Sequence, residues 1–541
     1  MSEPASFCTM CSHTCYFEFI GLAYSLSIHH PGAKFYCMLD TKTKEELDNL
    51  TLKPNLDIKI VVGLDKYTGL NRQKMEQMNI IKEFWNNKAD IMSYALQFEK
   101  DTIFLDSDVL IVNPINCIDH TKELGLSPHY VRKSNTDEVG YYNGGCVWTK
   151  NKEIPLCWKK HTVKSRFVDQ ASLEDVAIDY KNSMFEFGEE INFMPWRILL
   201  ANNPQEVVNS ININNNQVNI GDKPLVFLHT HFHDQRFVQV NNIFINALRK
   251  LKRYKELLII DRIVNKNWTI KIPKQPQQGI WRHNNDSFRE LALLYKKNNN
   301  DVNIELIDNG HCWLGNNILL YDRPTREWFN QELVNTSLIL LGNGDINIEG
   351  KLLRENNLNV KPWIFWPRRP FIIEKLLENN KLKLYSERTI ESIFIGNIEN
   401  NVQNQYRNTN NNWENVLDVY HCTQGTKHKF SQEQYLEQLA NAKYGLCMRG
   451  YGSKCHREVE LMALGTVPII TESVSIDSYM DPPQENIHYI RCNNPENLKT
   501  ILSNIKQEKW EFMSSNCYNW YQKNVHSKNS FNKFLNNILY N

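Results

Sequence analysis

The sequence predicts an α/β protein of two domains, each built on a parallel-rich sheet. Three observations carry this expectation. Strand-like apolar runs alternate with helix-period segments, the pattern of parallel strands covered by helices on both faces. A chain of 541 residues exceeds what one hydrophobic core usually organises. Two prolines and a glycine in Pro273-Lys-Gln-Pro-Gln-Gln-Gly279 interrupt both periodicities near the middle. The expected division is 1–265, a linker over 266–280, and 281–541.

In chain order, Ala5–Thr9, Lys34–Leu39, Asp57–Val62 and Thr102–Leu105 read as strands, being rich in Phe, Ile, Val and Tyr. Tyr16–His30 and Met75–Phe98 carry apolar residues at helical spacing, and Asn202–Asn219 reads as a polar loop. Beyond the linker, Ser337-Leu-Ile-Leu-Leu-Gly-Asn-Gly-Asp345 reads as a strand entering a glycine loop. Ser392–Gly396, Tyr444–Cys447 and Val467–Thr471 follow as short buried strands, and Asn397–Asn412 as a polar insertion.

Composition narrows the function. Hydrophobic residues at 41% and charged residues at 23% describe an ordinary globular chain. A net charge of +1 with no basic cluster argues against nucleic-acid partners. The first residues lack a signal-peptide pattern and no apolar run reaches ~20 residues, so a cytoplasmic protein without a membrane span is expected. Thirteen scattered cysteines fit free thiols in a reducing compartment. Cys8, Cys11 and Cys15 have zinc-like spacing but no clear fourth ligand, and core cysteines are the expected reading. Asn, Ile and Lys are over-used, as in chains from AT-rich genomes such as those of large DNA viruses or protists.

The run Thr102-Ile-Phe-Leu-Asp-Ser-Asp-Val-Leu-Ile-Val-Asn113 carries the first chemical signal. In extended chain Asp106 and Asp108 share a face about 7 Å apart. Two buried carboxylates need a cation between them, and a divalent ion with positions left for phosphate answers that need. A turn with both carboxylates in water is the competing reading. Asn143-Gly144-Gly145 lets backbone approach a ligand beside an amide, or simply forms a tight turn. Asp169-Gln170 opens a helix, as a cap or as a polar pair facing a ligand. His229, His231 and His233 alternate along one strand, and one of them suits a Mn²⁺ shell of carboxylate and imidazole. Lys88 lies on the helix before the aspartates, within reach of a phosphate or in solvent.

Together, Phe7-Cys-Thr9, Lys88, Leu105-Asp-Ser-Asp-Val109, Asn143-Gly-Gly145, Asp169-Gln170 and His231-Phe232 resemble a GT-A glycosyltransferase of the family 8 type over about the first 240 residues. The resemblance implies one Rossmann-like mixed sheet, with Mn²⁺ (or Mg²⁺) held by Asp106, Asp108 and His231, His229 being the rival. It places Thr9, Ser107 and Lys88 with Gly144 and Gly145 at the nucleotide sugar. Asn143, Asp169 and Gln170 then face the sugar and acceptor as the catalytic group. It also implies a UDP-sugar donor and retention of anomeric configuration. The family's Lys-Pro-Trp is replaced by Asp234-Gln-Arg236, with Arg236 as substitute for its phosphate contacts.

In the second half, Gly450 and Gly452 lead into a helix through Leu464, with Ser453 the expected N-cap. Glycines feeding a helix N-terminus suit phosphate, and Lys454, Arg457 and Glu460 form one polar stripe at i,i+3 spacing. Arg449-Gly450, Arg457, Glu460, Gly465 and Pro468, with Arg388 and Arg407 around Ile393-Phe-Ile-Gly396, resemble exostosin-like GT-B glycosyltransferases over residues 370–490. That resemblance implies two Rossmann-like halves, Glu460 on a ribose, and Arg388, Arg449 and Arg457 offsetting phosphate charge without a metal, with Arg407 and Lys454 joining them as candidate nucleotide-sugar ligands. The expected protein is a two-headed glycosyltransferase acting on a glycan or glycoprotein acceptor, with self-association left open. The alternatives are one active head with a degenerate second module, or a non-catalytic carbohydrate-binding protein.

Overall fold

In the computed structural model the chain divides into two compact units, Met1–Asn267 and Trp268–Asn541. The structure describes residues 2–274, 282–308, 311–321, 336–379, 382–408, 411–425 and 428–541. Among these, no helix is long and apolar enough to cross a membrane.

The first unit is organised by a seven-stranded sheet of order β3-β2-β1-β4-β7-β6-β8. Its strands are β1 (Phe7–Cys11), β2 (Lys34–Leu39), β3 (Asp57–Val62), β4 (Thr102–Leu105), β6 (Leu124–Pro128), β7 (Tyr142–Thr149) and β8 (Met184–Glu186), while β5 (Val109–Ile111) leaves this sheet. The first four run parallel, and β7 is antiparallel to both β4 and β6. Every residue of β1, β4 and β7 is buried, as strands covered on both faces require.

Three sequence expectations are corrected in this unit. The segment Met75–Phe98 is two helices, Arg72–Gln77 and Ile81–Ala95, because Asn79 takes a left-handed φ of 56° between them. Part of the polar stretch 202–219 is regular: a helix Pro204–Ser210 precedes a hairpin of β9 (Ile211–Asn214) and β10 (Gln217–Ile220). Asn215 and Asn216, with φ of 49° and 59°, supply the left-handed turn that such hairpins need. A short β11 (Lys223–Pro224) completes that small sheet, and β12 (Phe227–His229) pairs antiparallel with β5. Cys8 and Cys11 are buried in β1, whereas Cys15 is exposed, and the three form no metal cluster.

Among its described residues the second unit holds two sheets. The first has six strands in the order β14-β13-β15-β16-β17-β18. They are β13 (Trp268–Pro273), β14 (Val302–Ile307), β15 (Cys312–Leu314), β16 (Ile318–Tyr321), β17 (Leu338–Leu341) and β18 (Val360–Pro362). Residues 268–273, expected within the linker, are therefore a strand between two neighbours, while 275–281 lie outside the described residues. The second sheet is wholly parallel: β19 (Ile390–Ile398), β20 (Val419–Gln424), β21 (Ala442–Cys447), β22 (Val467–Ile470) and β23 (Ile490–Arg491), ordered β20-β19-β21-β22-β23. This is the doubly wound order 2-1-3-4-5, whose switch point lies between its first and third strands, here β19 and β21. The last helix, Ser527–Tyr540, returns to the six-stranded half, where Phe534 stacks on Trp363 at 5.1 Å.

Candidate active sites

In the first unit β4 ends at Leu105 and the chain turns through Asp106, Ser107 and Asp108 into β5. The two carboxylates thus sit in a turn, not on one strand face as the sequence suggests. The β5–β12 ladder sets His229 opposite Val109, and the Thr230 N–H donates to the Asp108 carbonyl at 2.9 Å, so the histidine segment is tied to the aspartate turn.

Both rival histidines meet Asp108. His229 Nε2 lies 2.8 Å from Asp108 Oδ1, and His231 Nδ1 lies 2.6 Å from Oδ2. His231 holds a left-handed φ of 45°, which swings its ring back onto the carboxylate. Burial opposes charge on Asp108, but the two imidazoles overturn it and hold the carboxyl well below its usual range. Burial likewise works against a charged His231, yet Asp108 raises its pKa. Asp108, His229 and His231 bring one ligand atom each within 4.8 Å of one another, a donor set of carboxylate and imidazole that fits Mn²⁺. His233 is drawn away toward Glu18, at 3.6 Å.

Asp106 is paired differently. Its Oδ1 lies 2.9 Å from Lys88 Nζ, which also reaches Asp169 Oδ2 at 3.0 Å and donates to the Gly144 carbonyl at 3.1 Å. Burial raises the Asp106 pKa, with Lys88 and His229 partly offsetting it. Its Oδ2 stays 3.9 Å from His229 Nε2, beside the donor set. Lys88 is 2% exposed on its helix, where it serves as the buried counter-charge to both carboxylates. Replacing it strands the buried Asp169 and the half-buried Asp106 carboxylates, which costs about 3–5 kcal/mol. Lys88→Met is therefore expected to lower the melting temperature of the first unit by roughly 10 °C in calorimetry.

The glycines of Asn143-Gly-Gly145 are required by this crowding. A Cβ on Gly145 would fall 2.6 Å from Asp106 Oδ2 and 2.8 Å from both Asn143 Oδ1 and His229 Cε1, and one on Gly144 would strike the Asp169 carboxylate. Gly145→Ala is expected to cost about 1–3 kcal/mol by overpacking. It should also weaken metal binding, read by Mn²⁺ titration beside a thermal melt.

Asn143 and Gln170 do come together. Asn143 Nδ2 donates to Gln170 Oε1 at 3.4 Å and lies 3.3 Å from His129 Nε2, which is itself 2.8 Å from Gln170 Oε1. Asp169 does not cap the following helix Ser172–Asp179; its carboxylate turns inward to Lys88. Thr9 is fully buried and its hydroxyl donates to the Leu105 carbonyl at 2.7 Å. Ser107 is half-buried between the carboxylates. Arg236 forks onto Asp234 at 2.6 Å.

Two residues escaped the sequence reading. Asn192, fully buried with φ of 54°, accepts from His229 Nδ1 at 3.2 Å and donates to Asn143 Oδ1 at 3.0 Å. It fixes the His229 tautomer so that Nε2 faces Asp108. His129 closes β6 and joins the Asn143–Gln170 pair. Nothing around Asn192 signals its role, whereas a histidine closing a buried strand was a visible hint.

In the second unit a cleft of about 800 Å³ opens at the β19–β21 switch point, lined by Gly396, Asn397, Arg407, Gly450, Arg457 and Glu460 among others. Parallel sheets bind ligands at the carboxyl ends of their strands at this place. Arg457 is 7% exposed and donates to the Ile395 carbonyl at 2.5 Å, while among the described residues its Nε and Nη1 have no hydrogen-bond partner. It stacks on Phe394 at 4.4 Å. Glu460 is already engaged: Oε1 accepts from the Arg368 N–H at 2.9 Å and Oε2 from the Tyr435 hydroxyl at 2.9 Å.

The other expected phosphate ligands are engaged with the protein itself, although Arg407 and Lys454 line the cleft. Arg388 is outside the cleft wall and clamps the carbonyls of Ala442 and Leu464 at 2.7 and 2.8 Å. Lys454 Nζ donates to the carbonyls of Leu341, Trp363 and Ser478. Arg407 lines the cleft but braces its floor through the carbonyls of Asn397, Met448 and Arg449. Arg449 lies outside the wall, over Tyr406 at 5.5 Å. The helix begins later than expected, at His456 with Cys455 as N-cap, while Ser453 Oγ donates to the Asn343 carbonyl.

No family model and no curated protein matches the chain. Solved structures similar to it include the galactosyltransferase LgtC in complex with donor and acceptor sugar analogues, 13% identical, covering 45% of this chain and 95% of its own at a TM-score of 0.31. The glycosyltransferase GlyE of Streptococcus pneumoniae TIGR4 is 12% identical over 92% of this chain and 98% of its own, at a TM-score of 0.29. At these scores the functional reading rests on the side chains alone.

Proposed function

We propose that the chain is a bifunctional glycosyltransferase, each unit a head that moves a sugar from a nucleotide-sugar donor to a glycan or glycoprotein acceptor. The observation that carries this reading is the convergence of Asp108, His229 and His231 beside Asp106, next to the amides of Asn143 and Gln170. The first unit is then a GT-A head and the second a GT-B-like head of two Rossmann-like halves. UDP-sugar donors and a retaining first head follow from the family resemblances.

In the first head Asp108, His229 and His231 would hold Mn²⁺ or Mg²⁺, which when bound supplies positive charge against the departing nucleoside diphosphate. Asn143 and Gln170 orient the sugar and acceptor hydroxyls through their amides. Asp169, anchored by Lys88, fixes the segment from which Gln170 projects. In the second head Arg457 offers two N–H groups to a diphosphate without a metal.

The test uses the full chain with Asp108→Asn, Arg457→Met and the double variant. Nucleoside diphosphate release is followed over UDP- and GDP-sugars, with Mn²⁺ or with chelator. Asp108→Asn should remove the Mn²⁺-dependent release and Arg457→Met the chelator-resistant release. Donor hydrolysis that survives in full in the double variant would sink the proposal. A second reading, with the second unit a binding module, is favoured by the internal engagement of both Glu460 oxygens. It predicts chelator-resistant nucleotide binding without turnover.

A further inference from the structure

The connection that carries Asp169 and Gln170 runs between two helices, Glu153–Thr162 and Ser172–Asp179. On their outer faces three side chains of different chemistry converge. Cys157 and His161 stand one turn apart on the first helix; Asp179 stands one turn beyond Asp175 on the second. Cys157 Sγ donates to Asp179 Oδ2 at 3.3 Å, and His161 Nε2 lies 2.8 Å from the same oxygen. The three ligand atoms all lie within 4.8 Å of one another. A tetrahedral zinc ion with its usual bond lengths needs ligand atoms about 3.3–3.8 Å apart, so this cluster requires only small rotations to close on one. Asp175 Oδ2 faces the other ring nitrogen, His161 Nδ1, at 3.8 Å, where carboxylates typically support a ligating imidazole.

We propose that Cys157, His161 and Asp179 form a second metal site, selective for a borderline-soft divalent cation such as Zn²⁺, with water as the fourth ligand. The thiol sets the selectivity, because sulfur favours Zn²⁺ over Mn²⁺ or Mg²⁺. Burial and Asp179 push the Cys157 thiol up to about 11, so the metal-free protein keeps it protonated. Binding forms the metal–sulfur bond and releases that proton to solvent. The ion would clip the helix that precedes the connection carrying Asp169 and Gln170 to the helix that follows it. The clip works alongside the hydrogen bonds already there, Trp158 Nε1 to the Asp169 carbonyl at 2.8 Å and Thr162 Oγ1 with Ser172 Oγ at 3.0 Å.

The test is a Co²⁺ titration of the chelator-stripped full chain, read in the near-ultraviolet thiolate-to-cobalt charge-transfer band. Wild type should show the band, and Cys157→Ser should lose it and bind one Co²⁺ fewer. His161→Gln keeps every thiol and should shift the midpoint of the band at least about tenfold to higher Co²⁺. Excess Mn²⁺ should occupy the Asp108 group and leave the band in place. Absence of the band in wild type overturns the proposal. So does a band that persists in Cys157→Ser, or one lost instead in Cys15→Ser.

Discussion

Asp108→Asn is expected to reduce Mn²⁺-dependent turnover by ~10³-fold, because the charge lost is worth several kcal/mol where the leaving diphosphate develops. Asp108 is the one group on which both histidines converge, at 2.8 and 2.6 Å. Asparagine keeps the shape and removes the charge, so the loss should appear in metal affinity and kcat together. The same variant makes a prediction for the metal-free protein. Asp108 is depressed, so its stabilisation is present above the ordinary carboxyl range near 4 and is lost as pH falls through the depressed value. His231 is raised, so its contribution is complete below about 6.5 and is lost as pH rises through the raised value. Both contributions overlap between about pH 4 and 6.5. In chelator, the gap in melting temperature between wild type and Asp108→Asn should be wider at pH 5.5 than at pH 9. An equal gap at both values would show that the pair is not charged as described.

Arg457→Met is expected to weaken nucleotide binding by the second unit at least ~10²-fold without lowering its stability. Two charge-assisted hydrogen bonds to phosphate are worth about 3 kcal/mol or more. Among the described residues, the Nε and Nη1 groups of this 7%-exposed residue have no hydrogen-bond partner. Each such buried group costs about 1–3 kcal/mol, which methionine relieves. The gain is set against the lost bond to Ile395 and the contact with Phe394. Calorimetric titration with UDP and GDP in chelator, in the Asp108→Asn background, measures the first quantity, and a thermal melt the second. Unchanged affinity would remove Arg457 from the binding machinery.

The central strands were legible because they are buried and written in Phe, Ile and Val, and β2 and β4 fall where the sequence sets them, as does the half-exposed edge strand β3. The aspartate pair was legible as a pair needing a cation. Its solution was not, because the countercharge comes from Lys88 and two histidines that only the folded sheet brings close. The cationic residues of the second unit were less legible for a related reason. The family resemblance marks Arg388 and the helix start marks Lys454, but neither tells that both cations bind backbone carbonyls, Lys454 doing so while it lines the cleft. Asn192 carries no pattern at all, since its role depends on His229 and Asn143, which lie far from it in sequence.

The return of the final helix to the six-stranded half has a consequence for the order of folding. Tyr295 pairs with Ser530 across 235 positions, and Asn298 with Ser527 across 229. During synthesis the strands from Trp268 onward emerge first but cannot complete their packing until residues 527–540 arrive. Closing so long a loop is slow, and the waiting half exposes apolar surface meanwhile. Deleting residues 527–541 should therefore yield an aggregation-prone chain rather than a shortened domain, even though none of them lines the cleft.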